Sequence, residues 1–203
     1  MEQTIHPVSG QPPSDNRQNL PSWSWRGELR GWTRDLVIAL GLAIVIIIFL
    51  YQPVKVEGTS MVPLLSDQER IFINKFVYRF GQIERGDVVV FWYPLDRTKS
   101  FIKRVIGLPG ETVEIRQGRV FLNGEMLEEL YVVTQFSDRS SYAPVRVPPD
   151  QYFVMGDHRA SSNDSRVFGT VPLPFIYGKA VFVYWPVERF GTLPGKAAAA
   201  PQQ

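Results

Sequence analysis

"DVVVFWYPLDRTKSFIKRVIG", residues 87–107, decides the fold of this chain. Asp87–Pro94 and Ser100–Gly107 are runs of β-branched and aromatic residues broken by turn formers, the pattern of two strands. Similar runs recur as "RIFINKF", "TVEIRQGRVFLNGE", "QYFVMGD" and "KAVFVYWP". Gln117-Gly118 and Asn123-Gly124 have the composition of hairpin turns. About ten strands with no convincing amphipathic helix predict a mainly β domain, an antiparallel sheet folded on itself. Residues 111–148 carry most of the hairpin signals and few core-like runs, so they are expected to form a small peripheral β insertion. No internal repeat is present.

Composition bounds the rest. A chain of 203 residues, 44% apolar and 21% charged, is globular and long enough for one sizeable core. A net charge of +2 with no basic stripe gives no footprint for nucleic acid. Without cysteine there is no thiol catalysis, disulfide or cysteine-ligated metal, which suits an exported domain. Two histidines, His6 and His158, are too few for a histidine-built zinc site, and no cofactor is expected.

The N-terminal part differs in kind. Residues 1–31, with "HPVSGQPPSDNRQNLPS", are expected to be a disordered tail. Leu36 to Tyr51, "LVIALGLAIVIIIFLY", is sixteen residues without a charge. With Trp32 and Tyr51 suited to the two interfaces and Arg34 able to snorkel, residues 32–51 are predicted to form one transmembrane helix. Arg17, Arg26, Arg30 and Arg34 precede it, and only Lys55 follows closely. The positive-inside rule then puts the tail in the cytoplasm and residues 52–190 on the far side of the membrane. Residues 191–203 are read as a flexible tail.

The chemistry starts from "VEGTSMVPLL", Val56–Leu65. Ser60 needs a base to become a nucleophile, and His6 is on the wrong side of the membrane. Lysine is the next candidate, although an ordinary lysine, with a pKa of ~10.4, is neutral about once in a few thousand at pH 7. Burial among apolar groups corrects that by disfavouring the ammonium. Lys103, among Phe101, Ile102, Val105 and Ile106, fits; Lys75 and Lys179 compete. "GDHRASSNDSRVFG", Gly156–Gly169, is rich in polar residues able to build a hydrogen-bonded shell around such an amine.

Taken in order, "GTSMVP", "RGDVVVFWYP", "FIKRVIGLPGE" and "GDHRASSNDSRVFG" resemble the conserved boxes of bacterial type I signal peptidase, across Gln52 to Phe190. The single-span arrangement is similar to the forms in cyanobacteria, Gram-positive bacteria and chloroplasts. The resemblance implies a membrane-bound serine endopeptidase, with an antiparallel β catalytic domain and a small β appendage, that removes leader peptides from exported preproteins. It implies Ser60 as nucleophile and Lys103 as general base. Ser162 would orient the amine, and Asp157, Asp164 and Arg166 would brace its loop. The Ser60 N–H would serve the oxyanion; Gly58 stands where two-span relatives place a second, hydroxyl donor, and His158 where Asn is usual. Val56, Met61, Leu65 and Ile102 would line pockets for small side chains.

The implied partners are signal-peptide-bearing preproteins, membrane lipids and a nearby export translocon, at a plasma or thylakoid membrane. Phe91 and Trp92 are candidates for contact with lipid, or ordinary core. Two other readings stay open: a triad of Ser60, His158 and Asp157 or Asp164, and a non-enzymatic, membrane-tethered β module that binds exported partners.

Overall fold

A computed structural model describes residues 25–193, so the expected tails lie outside it for residues 1–24 and 194–203. Contacts divide the chain into two units at Ala43 and Ile44. Helix α1 runs over Trp25–Leu50, about 39 Å at 1.5 Å per residue. Tyr51, expected to end the span, is instead the first residue of a strand, because its backbone pairs with Asn74. Among the described residues no helix is long and apolar enough to cross a membrane. Ile47, Ile48 and Phe49 belong to the expected span, and their side chains lie outside the described residues. From Leu36 to Ile46 the large apolar side chains of α1 are all exposed, so no face of that stretch is buried against protein.

Beyond α1 every strand pairing is antiparallel. The larger sheet uses β1 (Tyr51–Lys55), β2 (Arg70–Asn74), β3 (Val88–Tyr93) and β4 (Asp96–Gly107) from the first half of the domain. From the second half come β9 (Gln151–Met155), β10 (Val171–Pro172), β11 (Ile176–Trp185) and β12 (Gly191–Thr192). Their order is β1-β2-β11-β3-β4-β9-β10, with β12 added to β11. A separate four-stranded sheet, ordered β7-β6-β5-β8, is built from β5 (Thr112–Arg116), β6 (Arg119–Leu122), β7 (Glu125–Met126) and β8 (Tyr142–Arg146). Gln117 and Gly118 both have positive φ, 48° and 79°, where β5 turns into β6. That is what a two-residue hairpin requires.

The run "DVVVF" does not alternate in polarity, and the packing shows why. Val88 and Val90 enter one core with Ile71, Ile73 and Val183, while Val89 and Phe91 enter another with Val105, Val154 and Ile176. Consecutive strand residues face opposite sides, so a strand covered on both faces is apolar throughout. Phe91 is therefore core at 0% exposure, whereas Trp92 is 41% exposed. Long β11 bends through register shifts at Ile176/Gly178, Ala180/Phe182 and Val183/Trp185, as β-bulges do.

A third core joins the two sheets: Ile106, Phe153 and Met155 pack with Val113, Ile115, Val120 and Val147. Gly107 sits at this junction, where an added Cβ would lie 2.5 Å from Val113 Cγ2 and 3.0 Å from Phe153 Cβ. Gly107→Ala is expected to destabilise the domain by about 1–3 kcal/mol through overpacking. Urea unfolding of the detergent-solubilised chain measures it; an unchanged midpoint would show that the two sheets move apart freely.

Candidate active site

Ser60 lies in the turn between β1 and β2. Val62 N–H donates to Thr59 O and Leu65 N–H to Met61 O, which gives the segment a helical twist. Met61 and Leu65, one helical turn apart, are 1% and 0% exposed and pack in the first core. Burying each stabilises the turn by roughly 1.5–3 kcal/mol, and Ser60 is carried on its outer side. Gly58 has φ +91°, a conformation costly for any side chain. Its N–H donates to Asp67 Oδ1 at 2.8 Å, and this bond holds the Asp67 carboxyl below its ordinary range. Arg189 straps the turn from behind, with Nε 3.0 Å from Glu69 Oε1 and Nη2 donating to Leu64 O at 2.8 Å.

Lys103 approaches from β4, which lies between β3 and β9. Its Nζ is 2.7 Å from Ser60 Oγ and 2.9 Å from Ile102 O. The residue is only 4% exposed, and the Phe101 ring is 5.3 Å from Nζ. Burial pushes the amine down to about 8, against Asp164 and Asp157, which favour the ammonium. Lys75 is exposed, and Lys179 is committed to Asp87 at 2.6 Å, so neither competitor meets Ser60.

The loop after β9 comes over the same turn. His158 N–H donates to Ser60 O at 3.1 Å. Gly156 makes this approach feasible: a Cβ there would be 2.4 Å from Ser60 O and 2.3 Å from Ser162 Oγ. Asp157 receives Arg104 through both oxygens, at 2.8 and 2.7 Å, with both side chains 1% exposed. Asp164 caps the one-turn helix α3 (Ser165–Phe168) and accepts Arg166 through both oxygens at 2.8 Å. Burial would raise its carboxyl, but Arg166 and the Gly156 N–H hold it below the ordinary value. Arg166 also donates to Arg159 O, so the loop is tied to itself.

Two expected contacts are not among those the described residues make. Ser162 makes no hydrogen bond to Lys103, since the amine reaches back along its own strand to Ile102 O, while the Ser162 hydroxyl is buried and packed over Gly156. Met61 and Leu65 are core anchors and do not line the cleft. That cleft, of about 410 Å³, runs along Val54–Ser60 on one wall and Ser100–Lys103 on the other, and includes Val56, Ile102, Val90 and Ile71.

His158 has its Nδ1 3.2 Å from Thr59 O and its ring against Phe136. Asp157 and Asp164 are both committed to arginines, so the triad is not assembled. Sequence reasoning missed Glu129, Asp67 and Arg189. Glu129 binds Arg159 through both oxygens and so reaches the loop from beyond β7. Among the described residues no group of three His, Asp or Glu is placed to hold a metal ion.

A lysine lowered to about 8 costs stability wherever it is charged in the fold. Below pH 8 folded and unfolded chains both carry the proton, and the cost is complete, about 3 kcal/mol. Between pH 8 and the ordinary lysine value only the unfolded chain holds it, and the cost disappears. Lys103→Met is therefore expected to be more stable than the native chain at pH 7 by about 1–3 kcal/mol, with the gain falling to roughly a quarter of that by pH 10. Urea titrations at the two pH values measure this; an equal gain at both would mean the amine is not depressed.

Residues 29–185 match the family described as signal peptidase, peptidase S26. A probable signal peptidase I-2 of Synechocystis sp. is 42% identical over 166 residues, covering 79% of this chain and 75% of that protein. A signal peptidase I of Bacillus amyloliquefaciens is 40% identical over 164 residues, covering 76% and 84%. A crystal structure of a signal peptidase I from Enterococcus faecalis V583 is similar at 33% identity and a TM-score of 0.44, covering 49% of this chain and 97% of that one. The chain belongs to the signal peptidase family, peptidase S26.

Proposed function

We propose that this signal peptidase cuts leader peptides from preproteins with a Ser60–Lys103 dyad, tethered by α1 to the membrane its substrates cross. The observation that carries the reading is the buried amine 2.7 Å from the serine hydroxyl, while the described imidazole, His158, makes its contact with Thr59 O instead. At a pKa of about 8, roughly one lysine in ten is neutral at pH 7, several hundred times more than for an ordinary lysine.

The neutral Nζ takes the Ser60 proton as Oγ attacks the scissile carbonyl carbon. The ammonium so formed gives the proton to the departing amine, leaving the leader peptide esterified to Ser60. Water then attacks the ester carbonyl, losing a proton to the regenerated amine, which passes it to Ser60 Oγ as the leader peptide leaves with a free carboxyl group. The Ser60 N–H, which has no acceptor among the described residues, donates to the oxyanion. The positive φ at Gly58, open to glycine but costly for any side chain, argues against recruiting a side chain there as a second donor. Val56 and Ile102, with Val90 and Ile71 behind them, narrow the cleft so that small side chains fit on the acyl side of the bond.

Asp157, Asp164 and Arg166 act through the loop rather than on substrate: their paired charges hold Gly156 and His158 against Ser60 O. A non-enzymatic binding module would have no use for an unpaired buried lysine, which only destabilises the fold. The exposed apolar stretch of α1 supports insertion in lipid, and the arginine bias supports a β domain on the trans side, where preproteins emerge.

Lys103→Ala and Lys103→Arg are both expected to lose cleavage of a leader-peptide substrate by at least about a thousandfold, since guanidinium keeps its proton. His158→Ala should retain most activity. In the native enzyme kcat/KM should rise with pH through about 8. An inactive, folded His158→Ala beside an active Lys103→Ala would sink the dyad.

Topology is tested separately. Protease added to intact spheroplasts is expected to digest the β domain and spare the N-terminal tail. The reverse pattern would invert the orientation.

A further inference from the structure

The chain leaves α1 through a corner built to face whatever surrounds the helix end. Leu50 closes the helix, Tyr51 pairs with Asn74, and Lys75 N–H donates to Leu50 O. Asn74 Oδ1 then accepts the N–H groups of Phe76 and Val77, at 2.9 and 3.1 Å, and turns the chain into the one-turn helix α2 (Val77–Phe80). Tyr78 is drawn inward, its hydroxyl donating to buried Asp87 at 2.9 Å. The corner is thereby fixed to the sheet, and what it presents outward is Lys75, Arg79 and Phe80.

A lone exposed phenylalanine is ordinary on a protein surface. Phe80 differs in being held, 92% exposed, on a hydrogen-bonded turn within a few residues of the end of an apolar helix. The Arg79 guanidinium lies 5.1 Å from the Phe76 ring. Among the described residues no ion pair joins Lys75 or Arg79 to a carboxylate. Two cations without a carboxylate partner among the described residues, around an aromatic wedge, are complementary to a layer of negative headgroups over hydrocarbon.

We propose that Lys75, Arg79 and Phe80 dock the β domain on anionic phospholipid headgroups, with the Phe80 ring entering the acyl boundary. The proposal rests on α1 spanning the membrane. Docking at this corner restricts the domain's swivel about the helix end, and so fixes how the cleft meets a membrane-inserted substrate. The two cations favour an anionic over a neutral surface by roughly 30-fold in the docked-to-undocked ratio.

The chain has no cysteine, so a nitroxide on Phe80→Cys is the only label in the full-length protein. The same label on Met126→Cys, an exposed position in β7, serves as reference. Both are placed in vesicles of phosphatidylcholine with phosphatidylglycerol, and in phosphatidylcholine alone. In mixed vesicles the label at 80 is expected to collide with oxygen in preference to a water-soluble nickel chelate, and the label at 126 to do the opposite. Adding Lys75→Gln and Arg79→Gln, or omitting phosphatidylglycerol, should move the label at 80 toward water. A label at 80 as water-accessible as that at 126 overturns the docking, and burial indifferent to both charge changes overturns the headgroup assignment. Carbonate extraction separates the underlying reading. Protein that resists extraction while its label at 80 stays in water contradicts the corner alone, whereas protein that is extracted contradicts the span.

Discussion

Lys103 and Arg104 are consecutive residues on one strand, and both are buried. The pleat sends them to opposite faces of the sheet, where they meet opposite fates. Arg104 finds Asp157 through two hydrogen bonds and Gly86 O through a third, so its charge is matched. Among the described residues Lys103 finds only a hydroxyl and a carbonyl. A guanidinium cannot shed its proton and has to be paired; an amine left unpaired holds its proton less tightly instead. The same strand thus anchors the polar loop with one residue and supplies a proton acceptor with the next.

The loop itself is held by charge pairs of mixed origin. Asp157 looks back to β4, Asp164 to Arg166 in its own helix, and Arg159 out to Glu129 in the segment after β7. Tyr131 adds its ring 4.1 Å from the Arg104 guanidinium and donates its hydroxyl to Glu129. Buried pairs of this kind add little net stability compared with apolar packing, but removing one partner strands the other. Their effect here is geometric. They fix the backbone at Gly156 and His158, which touches Ser60 O directly.

How much of this was legible follows from the range of each interaction. Strands such as Val88–Tyr93 and Gln151–Met155 show in the sequence because β-branched and aromatic runs are local. The turns at Gln117-Gly118 and Asn123-Gly124 show for the same reason. Ser60 and Lys103 stood out because the chain offers almost no histidine, and because an apolar strand with a lysine inside it is chemically expensive. Glu129 gave no signal: it is one acid in "LEELYV", and its partner lies thirty residues on. Asp67 and Arg189 were equally silent, since each acts on backbone atoms, Gly58 N–H and Leu64 O, that no residue pattern reveals. Met61 and Leu65 were ambiguous because apolar residues beside a serine suit a pocket wall and a core anchor equally well. Both are buried in the core with Val183, while the cleft is lined by Val56 and Ile102.

The buried amine also explains why so much of the domain is built around a short stretch of β4. An unpaired lysine opposes folding by about 3 kcal/mol near neutral pH, a large share of the 5–15 kcal/mol by which domains of this kind are ordinarily stable. The depression survives only if water and carboxylates are kept from Nζ. Phe101 lies against the amine, while Asp157 and Asp164, which pull its pKa upward, are each engaged by an arginine. Releasing either carboxylate from its arginine would strengthen its pull on the ammonium and return the lysine toward its ordinary, protonated state. The arginines that brace the loop therefore also guard the basicity of the amine. Geometry and proton affinity at Ser60 are set by the same pairs.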